Sequence, residues 1–416
     1  MEEARKSLSE IRGTVIRPCA DRQDVEILDM ARIQVDPHGM ITDVTPRGMS
    51  STCSPTLDNV VWLPGFIDTH IHCPQFRVLG SASGPLLEWL EQSIFPEEAR
   101  FSSDHYAREV AQEFCSALAR NGTTTAAVYS SSHPGATDIL FETFANIGLR
   151  GLIGLTLMDQ NAPDEVLLDV DSAMQAAEQL ADRWHGYDDR LEFCVTPRFA
   201  VSCSPEMMRR AAEFAQRRQL PIQTHLSENS AELEAVQNLY PEAKDYLDVY
   251  EQMGLVGSRS IFAHCIHLSE PEWERMSTAQ ASVSHCPDSN FFLGSGLMPL
   301  DTVRRHGVKM GLGTDVGAGR SMSIRQTMAS AYDTALLTDA KTSSGELLWY
   351  ATAGGASALG LNHQIGYIAP GYHADLIAVE VPSHVPRDRR LLDAIAFRRD
   401  HGAVKAIYVR GRAIHV

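Results

Sequence analysis

"LPGFIDTHIHCPQF", residues Leu63 to Phe76, places polar side chains at the end of a run that otherwise has the composition of a buried strand. We predict a strand over Leu63 to Ile67, followed by His70 and His72. Residues two apart in a strand face the same side, so the two imidazoles would lie close enough to share one metal ion. The stretch therefore predicts a strand that carries functional groups at its carboxyl end.

Further short apolar or β-branched runs follow, separated by longer helical patterns. They are "TTTAAVYS", "LRGLIGLTLM", "LEFCVTPRF", "LPIQTHLSE", "SIFAHCIH", "ASVSHCP" and "VKMGLGTDV". Eight strand-helix units over roughly 300 residues are typical of a (β/α)8 TIM-like barrel, whose strands are buried on both faces and so form continuous apolar runs. A doubly wound open sheet is the alternative. It is less favoured because no glycine-rich phosphate-binding motif follows an early strand.

The two ends of the chain have a different texture from its centre. Short alternating apolar segments with turn residues occupy residues 1–62 and return in residues 365–416, which is typical of small antiparallel strands. We predict that these two segments pair into one small β-domain. Residues 63–364 would then form the α/β catalytic barrel.

Composition narrows the class of protein and of partner. The chain has 416 residues, 44% of them hydrophobic, and a net charge of -17, which argues against a nucleic-acid or anionic-membrane partner. It has no run of about 18 apolar residues, the length of a membrane span. Its eight cysteines form no C-x-x-C pair, so we expect reduced thiols. The sequence favours a cytoplasmic protein that acts on a small molecule.

Polar residues end most of the predicted strands, and a barrel places its active site at that face. They are His70, His72, Arg198, His225, His264 and Asp315. A single histidine is usually a surface or hydrogen-bonded residue, but this series converges on one pocket. Three imidazoles and one carboxylate suit Zn2+ with an open position for water.

The predicted metal ligands are His70, His72, His225 and Asp315. Fe2+ and Mn2+ suit these donors about as well as Zn2+. A second metal would usually require a bridging lysine on the fourth strand, and "VTPRFA" has none. We therefore predict one metal ion.

Glu228 follows His225 by three residues and would lie in the loop just beyond the strand. A glutamate near the metal that does not ligate it is the expected proton shuttle, whereas an exposed loop carboxylate is the alternative. The same four letters recur at His267 to Glu270. There Ser269 and Glu272 predict the capping box of a helix, so no catalytic role is needed.

Five further residues beside the predicted ligands are assigned supporting or packing roles. Asp68 and His285 would support the site or pack against it. The thiols of Cys73, Cys265 and Cys286 would fill small apolar spaces.

These motifs resemble the guanine deaminases, a family of the amidohydrolase superfamily, over nearly the whole chain. The matching stretches are "PGFIDTHIHCPQF", "LLEWLEQSIFPEEARF", "NGTTTA", "TPRFA", "THLSEN", "YLDVYEQMGL", "FAHCIHLSE", "CPDSNFFLGSGL" and "GLGTDVGAG". The resemblance implies zinc-dependent hydrolytic deamination of guanine to xanthine and ammonia. It also implies that the protein is a homodimer.

The resemblance also implies roles for individual residues. Glu228 and Asp315 would share the proton transfers, and His264 would contact the hydrolytic water or the tetrahedral intermediate. Substrate contacts are implied for Gln75, Arg198, Phe199, His225, Glu228 and Asp315. An amide and a guanidinium can hydrogen-bond the edge of guanine while an aromatic ring packs on its face.

Three stretches depart from the family pattern. Asp288 replaces a threonine, "VSCSPE" follows "PRFA", and Arg320, Ser321 and Met322 follow "GAG". A deaminase of a related aminopurine or pterin, such as 8-oxoguanine, is therefore the alternative function. A cyclic-amide hydrolase would need the absent lysine, and a non-catalytic scaffold would be expected to lack ligands. The segment "LLEWLEQSIFPEEARF" fits equally a helix over the pocket mouth and an ordinary packing helix.

Overall fold

The computed structural model describes residues 8–46, 56–81, 84–399 and 402–415. Its strands are β1 Glu10–Pro18, β2 Val25–Val35, β3 Ile41–Thr45, β4 Val60–Pro64, β5 Phe66–His72, β6 Thr123–Tyr129, β7 Arg150–Gly154, β8 Thr156–Leu157, β9 Leu191–Phe193, β10 Thr196–Pro197, β11 Ile222–Leu226, β12 Ser260–His264, β13 Ser282–His285, β14 Lys309–Leu312, β15 Leu376–Glu380, β16 Val404–Val409 and β17 Arg412–Ala413.

Helices alternate with the central strands. They are α1 Leu86–Trp89, α2 Phe95–Ala99, α3 Asp104–Arg120, α4 Pro134–Ile147, α5 Val170–Trp184, α6 Pro205–Arg218, α7 Ser230–Leu239, α8 Tyr246–Met253, α9 Glu270–Thr278, α10 Pro287–Phe292, α11 Leu300–His306, α12 Ile324–Leu337, α13 Ser344–Trp349, α14 Gly355–Ala358 and α15 Arg389–Phe397. Shorter 3-10 or π segments are Cys73–Val78, Leu90–Ile94, Arg100–Ser102, Asp164–Val166 and Tyr350–Gly354. The predicted mixed α/β class is confirmed.

The central strands form parallel sheets. One four-stranded sheet has the order β5-β6-β7-β9, a second has the order β11-β12-β13-β14, and β8 pairs with β10. Each of the eight predicted runs contains one strand of the two four-stranded sheets. A parallel bridge joins Val195 to Ile222 between the sheets. At their other edges the backbone N–H of Asp315 donates to the carbonyl of His70 over 2.9 Å.

Strands from both ends of the chain meet in a seven-stranded sheet of order β17-β16-β15-β4-β1-β2-β3. The prediction that the first central strand begins at Leu63 was wrong. Leu63 and Pro64 belong to β4 of the seven-stranded sheet. They pair with Ile377 and Leu376 of β15. The central strand begins at Phe66 instead. Gly65 makes the passage between the sheets possible, since a Cβ there would lie 2.1 Å from Oγ1 of Thr124.

The core lies between the central sheets and the helices that cover them. Helix α3 shows how: it buries Val110, Phe114 and Leu118, which recur every four residues on one face. Ser103 begins the helix by accepting a hydrogen bond from the backbone N–H of Tyr106. Strand β5 is buried throughout, its polar residues included. Buried polar groups need partners, so the ends of the central strands are where a site is expected.

Two expectations from composition concern the cysteines and membrane-spanning segments. The cysteines that the structure describes, all except Cys53, are buried and have free thiols. No helix within the described ranges is both long and apolar enough to cross a bilayer.

Candidate active site

The predicted metal ligands lie together at the carboxyl ends of β5, β11 and β14. Nε2 of His72 lies 3.2 Å from Nε2 of His70 and 3.2 Å from Nε2 of His225. Oδ1 of Asp315 lies 3.1 Å from Nε2 of His70 and 3.3 Å from Nε2 of His72. Ligands bound to Zn2+ at about 2.05 Å in a tetrahedron are about 3.3 Å apart. The spacing of these donor atoms therefore fits one ion of that size.

Hydrogen bonds to the far side of two imidazoles determine which nitrogen faces the cluster. Nδ1 of His225 lies 2.7 Å from the carbonyl oxygen of Arg198, and Nδ1 of His264 lies 2.9 Å from Oδ1 of Asn290. Because both oxygens only accept, each Nδ1 carries the hydrogen and each Nε2 presents a lone pair. This arrangement is typical of imidazoles that bind a metal or a water molecule.

His264 faces the same space as the predicted ligands. Its Nε2 is buried, has no hydrogen-bond partner among the described residues, and lies 3.5 Å from Oε2 of Glu228 and 3.7 Å from Oδ2 of Asp315. The donor atoms of His70, His225, His264 and Asp315 all lie within 4.8 Å of one another. The geometry thus admits His264 as a ligand in place of His72, and the predicted set stays a prediction.

The backbone is strained where these side chains enter the site. Ser227, His264, Cys265 and Asp315 have φ values of 51°, 71°, 49° and 49°, in the left-handed region that side chains other than glycine rarely adopt. Such conformations cost energy and cluster at functional sites. Here they occur where the chain leaves β11, β12 and β14, beside the cluster of donor atoms.

Asp68 supports the cluster from behind, as predicted. Its Oδ1 accepts from the backbone N–H of Thr314 over 3.0 Å and from that of His70 over 3.2 Å, and its Oδ2 accepts from Oγ1 of Thr314. Burial raises the pKa of Asp68 to about 7, although these donors oppose the rise. The bonds join the strand of His70 to the segment that carries Asp315. Gly313 permits the approach, since a Cβ there would lie 2.8 Å from Cβ of His70.

Two carboxylates at the cluster have opposite electrostatic environments. Burial favours a neutral Asp315, but the imidazoles of His70 and His72 outweigh it and hold the pKa of Asp315 well below its usual range. Burial and the neighbouring charge of Asp315 raise the pKa of Glu228. One group thus remains ionised while the other can hold a proton. This division suits a ligand beside a proton carrier.

Glu228 lies in the loop between β11 and α7, and its side chain is 3% exposed. The alternative of an exposed loop carboxylate is therefore wrong. Oγ of Ser295 donates to Oε1 of Glu228 over 3.1 Å. The backbone N–H groups of Glu228 and Asn229 donate to Oε2 of Glu232, which holds the loop in place.

A pocket of about 370 Å³ opens beside the cluster. It contains the predicted substrate-binding residues Gln75, Arg198 and Phe199. Its lining is His72, Gln75, Leu86, Trp89, Leu90, Arg198, Phe199, His225, Glu228, Leu293, Asp315 and Ala318. The segment "LLEWLEQSIFPEEARF", whose role the sequence leaves open, contributes Leu86, Trp89 and Leu90 to the pocket lining. The segment therefore forms part of the pocket lining, whose apolar side chains and few polar groups suit a small flat ligand with polar edges.

The residues assigned supporting roles lie outside the cluster. The capping box is confirmed, because Oε2 of Glu272 accepts from the backbone N–H of Ser269 over 2.8 Å. His267 contacts the carbonyl oxygen of Ser295 over 2.9 Å. His285 is buried, and burial together with His264 lowers its pKa to about 3. Neither His285 nor any described cysteine belongs to the group of possible metal donors.

Two of the three departures from the family pattern, those at Asp288 and Arg320, contact each other. Nη2 of Arg320 lies 2.5 Å from Oδ1 of Asp288, and the backbone N–H of Arg320 donates to Oδ2 of Asp288 over 2.7 Å. Oγ of Ser330 also donates to Asp288 over 3.0 Å. None of Asp288, Arg320, Ser321 or Met322 is in the lining of the pocket that the described residues form.

Sequence reasoning missed one buried residue that contacts two predicted site residues. Glu98 of α2 accepts hydrogen bonds from Arg198 and Gln75. The available signal was the pair of consecutive glutamates, Glu97 and Glu98, inside a segment that is otherwise largely apolar.

Comparison with known proteins places the chain in a family. The family model described as "Amidohydrolase family" matches residues 61–414. Guanine deaminase from Escherichia coli K12 is 41% identical over 366 residues, covering 85% of this chain and 82% of the relative.

Two solved structures are similar over nearly their full length. The structure of E. coli guanine deaminase superposes with a TM-score of 0.91 at 35% identity and covers 98% of this chain and 99% of its own. The guanine deaminase of C. acetobutylicum, solved with guanine in its active site, has a TM-score of 0.91 at 29% identity, with 98% and 100% covered.

Proposed function

The chain belongs to the guanine deaminases of the amidohydrolase family, and from that membership we propose that it hydrolyses guanine to xanthine and ammonia. One observation carries the proposal: Gln75, Arg198 and Phe199 line the same pocket as the histidine and carboxylate cluster. The pocket thus combines groups that suit a purine with groups that suit hydrolysis. Deamination replaces the 2-amino group of guanine with an oxygen from water.

A metal ion at the cluster supplies part of the chemistry. His70, His72, His225 and Asp315 hold one Zn2+ in this proposal, and Fe2+ or Mn2+ would suit the same donors. Bound there, the ion acts as a Lewis acid and makes water nucleophilic near neutral pH. The donor spacing of 3.1 to 3.3 Å supports this assignment.

Glu228 carries protons between water and the substrate. It accepts a proton from the water that attacks C2 and delivers it to a substrate nitrogen. Its burial and its place beside Asp315 raise its pKa, so it can hold the proton between the two steps. Asp315 takes part in the second transfer. One proton of the water ends on N3 of xanthine and the other leaves with ammonia as the C2–N2 bond breaks.

His264 contacts the attacking water and the tetrahedral intermediate. The lone pair of its Nε2 faces the space between Glu228 and Asp315, and Asn290 fixes the ring through Nδ1. Because Nε2 presents a lone pair, it can accept a hydrogen bond from the attacking water or from the hydroxyl of the tetrahedral intermediate, and the fixed ring needs no reorientation to do so.

The pocket orients the purine ring. Arg198 and Gln75 hydrogen-bond its polar edge, and Phe199 packs against its face. His225, Glu228 and Asp315 approach the substrate from the side of the metal. Leu86, Trp89 and Leu90 exclude water from the opposite side.

Architecture and assembly complete the proposal. The two parallel sheets close into one (β/α)8 barrel, a step supported by the bridge between Val195 and Ile222 and by the hydrogen bond from Asp315 to His70. The predicted domains are residues 63–364 and, together, 1–62 and 365–416, except that Leu63 and Pro64 pair within the sheet of the two end segments. A homodimer and a cytoplasmic location also stay predictions.

Ammonia release tests the function. Guanine, 8-oxoguanine, adenine, cytosine and pterins are assayed with the purified chain, whose metal content is measured in parallel. We expect turnover of guanine to exceed that of the others, with one metal ion per chain. Preference for 8-oxoguanine or a pterin would support the alternative deaminase, and release from no substrate by metal-loaded protein would contradict the proposal.

A further inference from the structure

Glu98 connects the two residues that bind the purine edge in the proposed function. Its Oε2 accepts from Nη1 of Arg198 over 2.6 Å, and its Oε1 accepts from Nε2 of Gln75 over 3.2 Å. The side chains of Glu98 and Arg198 are 6% and 3% exposed. A charged pair so far from water is strongly coupled, because the interior screens its attraction poorly.

The bond to Glu98 fixes the orientation of the Gln75 amide. Oε1 of Gln75 accepts from the backbone N–H of Gly317 over 3.1 Å, while its amide nitrogen donates to Glu98. A carboxylate only accepts, and a backbone N–H only donates, so reversing the amide would break both bonds. Gln75 therefore keeps one amide N–H to donate to a ligand, while its oxygen is already engaged by Gly317.

Arg198 is oriented by the same carboxylate. One terminal nitrogen of its guanidinium is occupied by Glu98, and its central carbon lies 5.4 Å from the ring centroid of Phe95. The guanidinium has no acceptor, so its remaining N–H groups can only donate. Gln75 and Arg198 together present hydrogen-bond donors to the pocket.

We propose that Glu98 is the positioning and specificity-determining residue that holds Gln75 and Arg198 as a surface of donors, which favours purines with acceptors on that edge. This inference rests on the proposed function. Guanine has an oxygen at C6, whereas 2,6-diaminopurine keeps the amine at C2 but has a second amine at C6. Donors facing an amine leave N–H groups without acceptors, which disfavours binding.

The test replaces Glu98 by glutamine and uses its neighbour as a control. Glu97 is also buried in α2, but it pairs with Tyr106 and Arg100 and is not part of the pocket lining among the described residues. For E98Q we expect KM for guanine to rise at least about tenfold with kcat within about threefold, because binding is lost equally in ground and transition states. The inhibition constant of 2,6-diaminopurine should change less than about threefold. E97Q should leave all three values unchanged.

A double-mutant cycle separates positioning from general loosening. If Glu98 acts through Arg198, then E98Q should raise KM less in an R198Q background than in the wild type. Equal increases in both backgrounds, or equal increases for E97Q and E98Q, would overturn the inference.

Two further outcomes remain decisive. If E98Q does not fold, E98D keeps the charge but withdraws the carboxylate by one methylene. KM should then rise at least about threefold with an unchanged melting temperature, and a wild-type KM would contradict the inference.

If the wild-type chain releases no ammonia from guanine, the proposed function fails. If wild type is active but E98Q behaves like wild type, only the role of Glu98 fails.

Discussion

Asp288 and Arg320 form an ion pair that joins α10 to the loop after β14, with Oδ1 and Nη2 2.5 Å apart. The side chain of Asp288 is 3% exposed and that of Arg320 is 48% exposed. The pair joins two of the stretches at which the sequence departs from the family pattern. The loop they hold also carries Asp315, so the pair supports the site without lining its pocket.

Asp288→Thr, which restores the family residue, should destabilise the protein. The backbone N–H of Arg320 and the hydroxyl of Ser330 would lose their acceptor, at a cost of about 1–3 kcal/mol. Urea denaturation measures the change. The control is E270T, because Glu270 pairs with Arg305 and His306 at the surface, where the side chains of Glu270 and Arg305 are each 60% exposed, and we expect a smaller loss. Equal losses in the two variants would contradict the buried role of Asp288.

The metal ligands can be distinguished by comparing His72→Gln with His264→Gln. In the proposed set His72 binds the ion, so H72Q should weaken zinc binding by more than about 100-fold. That exceeds the loss expected for a residue that only hydrogen-bonds a ligand. H264Q should keep its zinc and lose turnover. Elemental analysis after dialysis against zinc buffers gives the answer. The reverse pattern would show that His264 takes the place of His72.

Glu228→Gln should separate metal binding from catalysis. The amide keeps the shape of the side chain but cannot carry a proton, so kcat should fall by about 10²- to 10⁴-fold while zinc content is unchanged. S295A, which removes only the hydrogen bond to Oε1 of Glu228, should cost less than about tenfold. Steady-state ammonia release measures both, and turnover near the wild-type value in E228Q would exclude the proton-carrier role.

Glu232 should make stability depend on pH. Burial and the nearby charge of Glu228 raise the pKa of Glu232 to about 7 in the folded protein, above its usual value of about 4.3. The folded state therefore binds this proton more tightly than the unfolded state does. Stability contributed by the protonated form is present at low pH and is lost as pH rises from about 4.5 to about 7.

Glu232→Gln removes this dependence because the amide does not ionise. The free energy of unfolding of wild type minus that of E232Q should decrease by on the order of 3 kcal/mol as pH rises from about 4.5 to about 7. Urea denaturation at each pH, at equal zinc concentration, measures it. E234Q, an exposed position on α7, controls for the loss of a carboxylate. A pH-independent difference for E232Q would contradict the prediction.

Much of the site could be predicted because its determinants are local. The eight runs that became central strands are apolar and short, and each predicted ligand ends one of them. His70 and His72 lie on one face because strands have a period of two, and the helix cap at Ser269 and Glu272 uses residues three apart. Spacing along the chain was sufficient for these features.

The order of strands and helices, the polar residues at the strand ends and the family resemblance can be read from the sequence alone. Tertiary structure decided the contacts between distant segments: β4 pairs with β15, Asp288 pairs with Arg320, and Glu98 contacts Arg198, 100 positions away. The physical reason is that a buried charge or strand edge must be satisfied by whichever group the fold brings near it. No periodicity records that partner, so Glu98 has a visible role only in three dimensions.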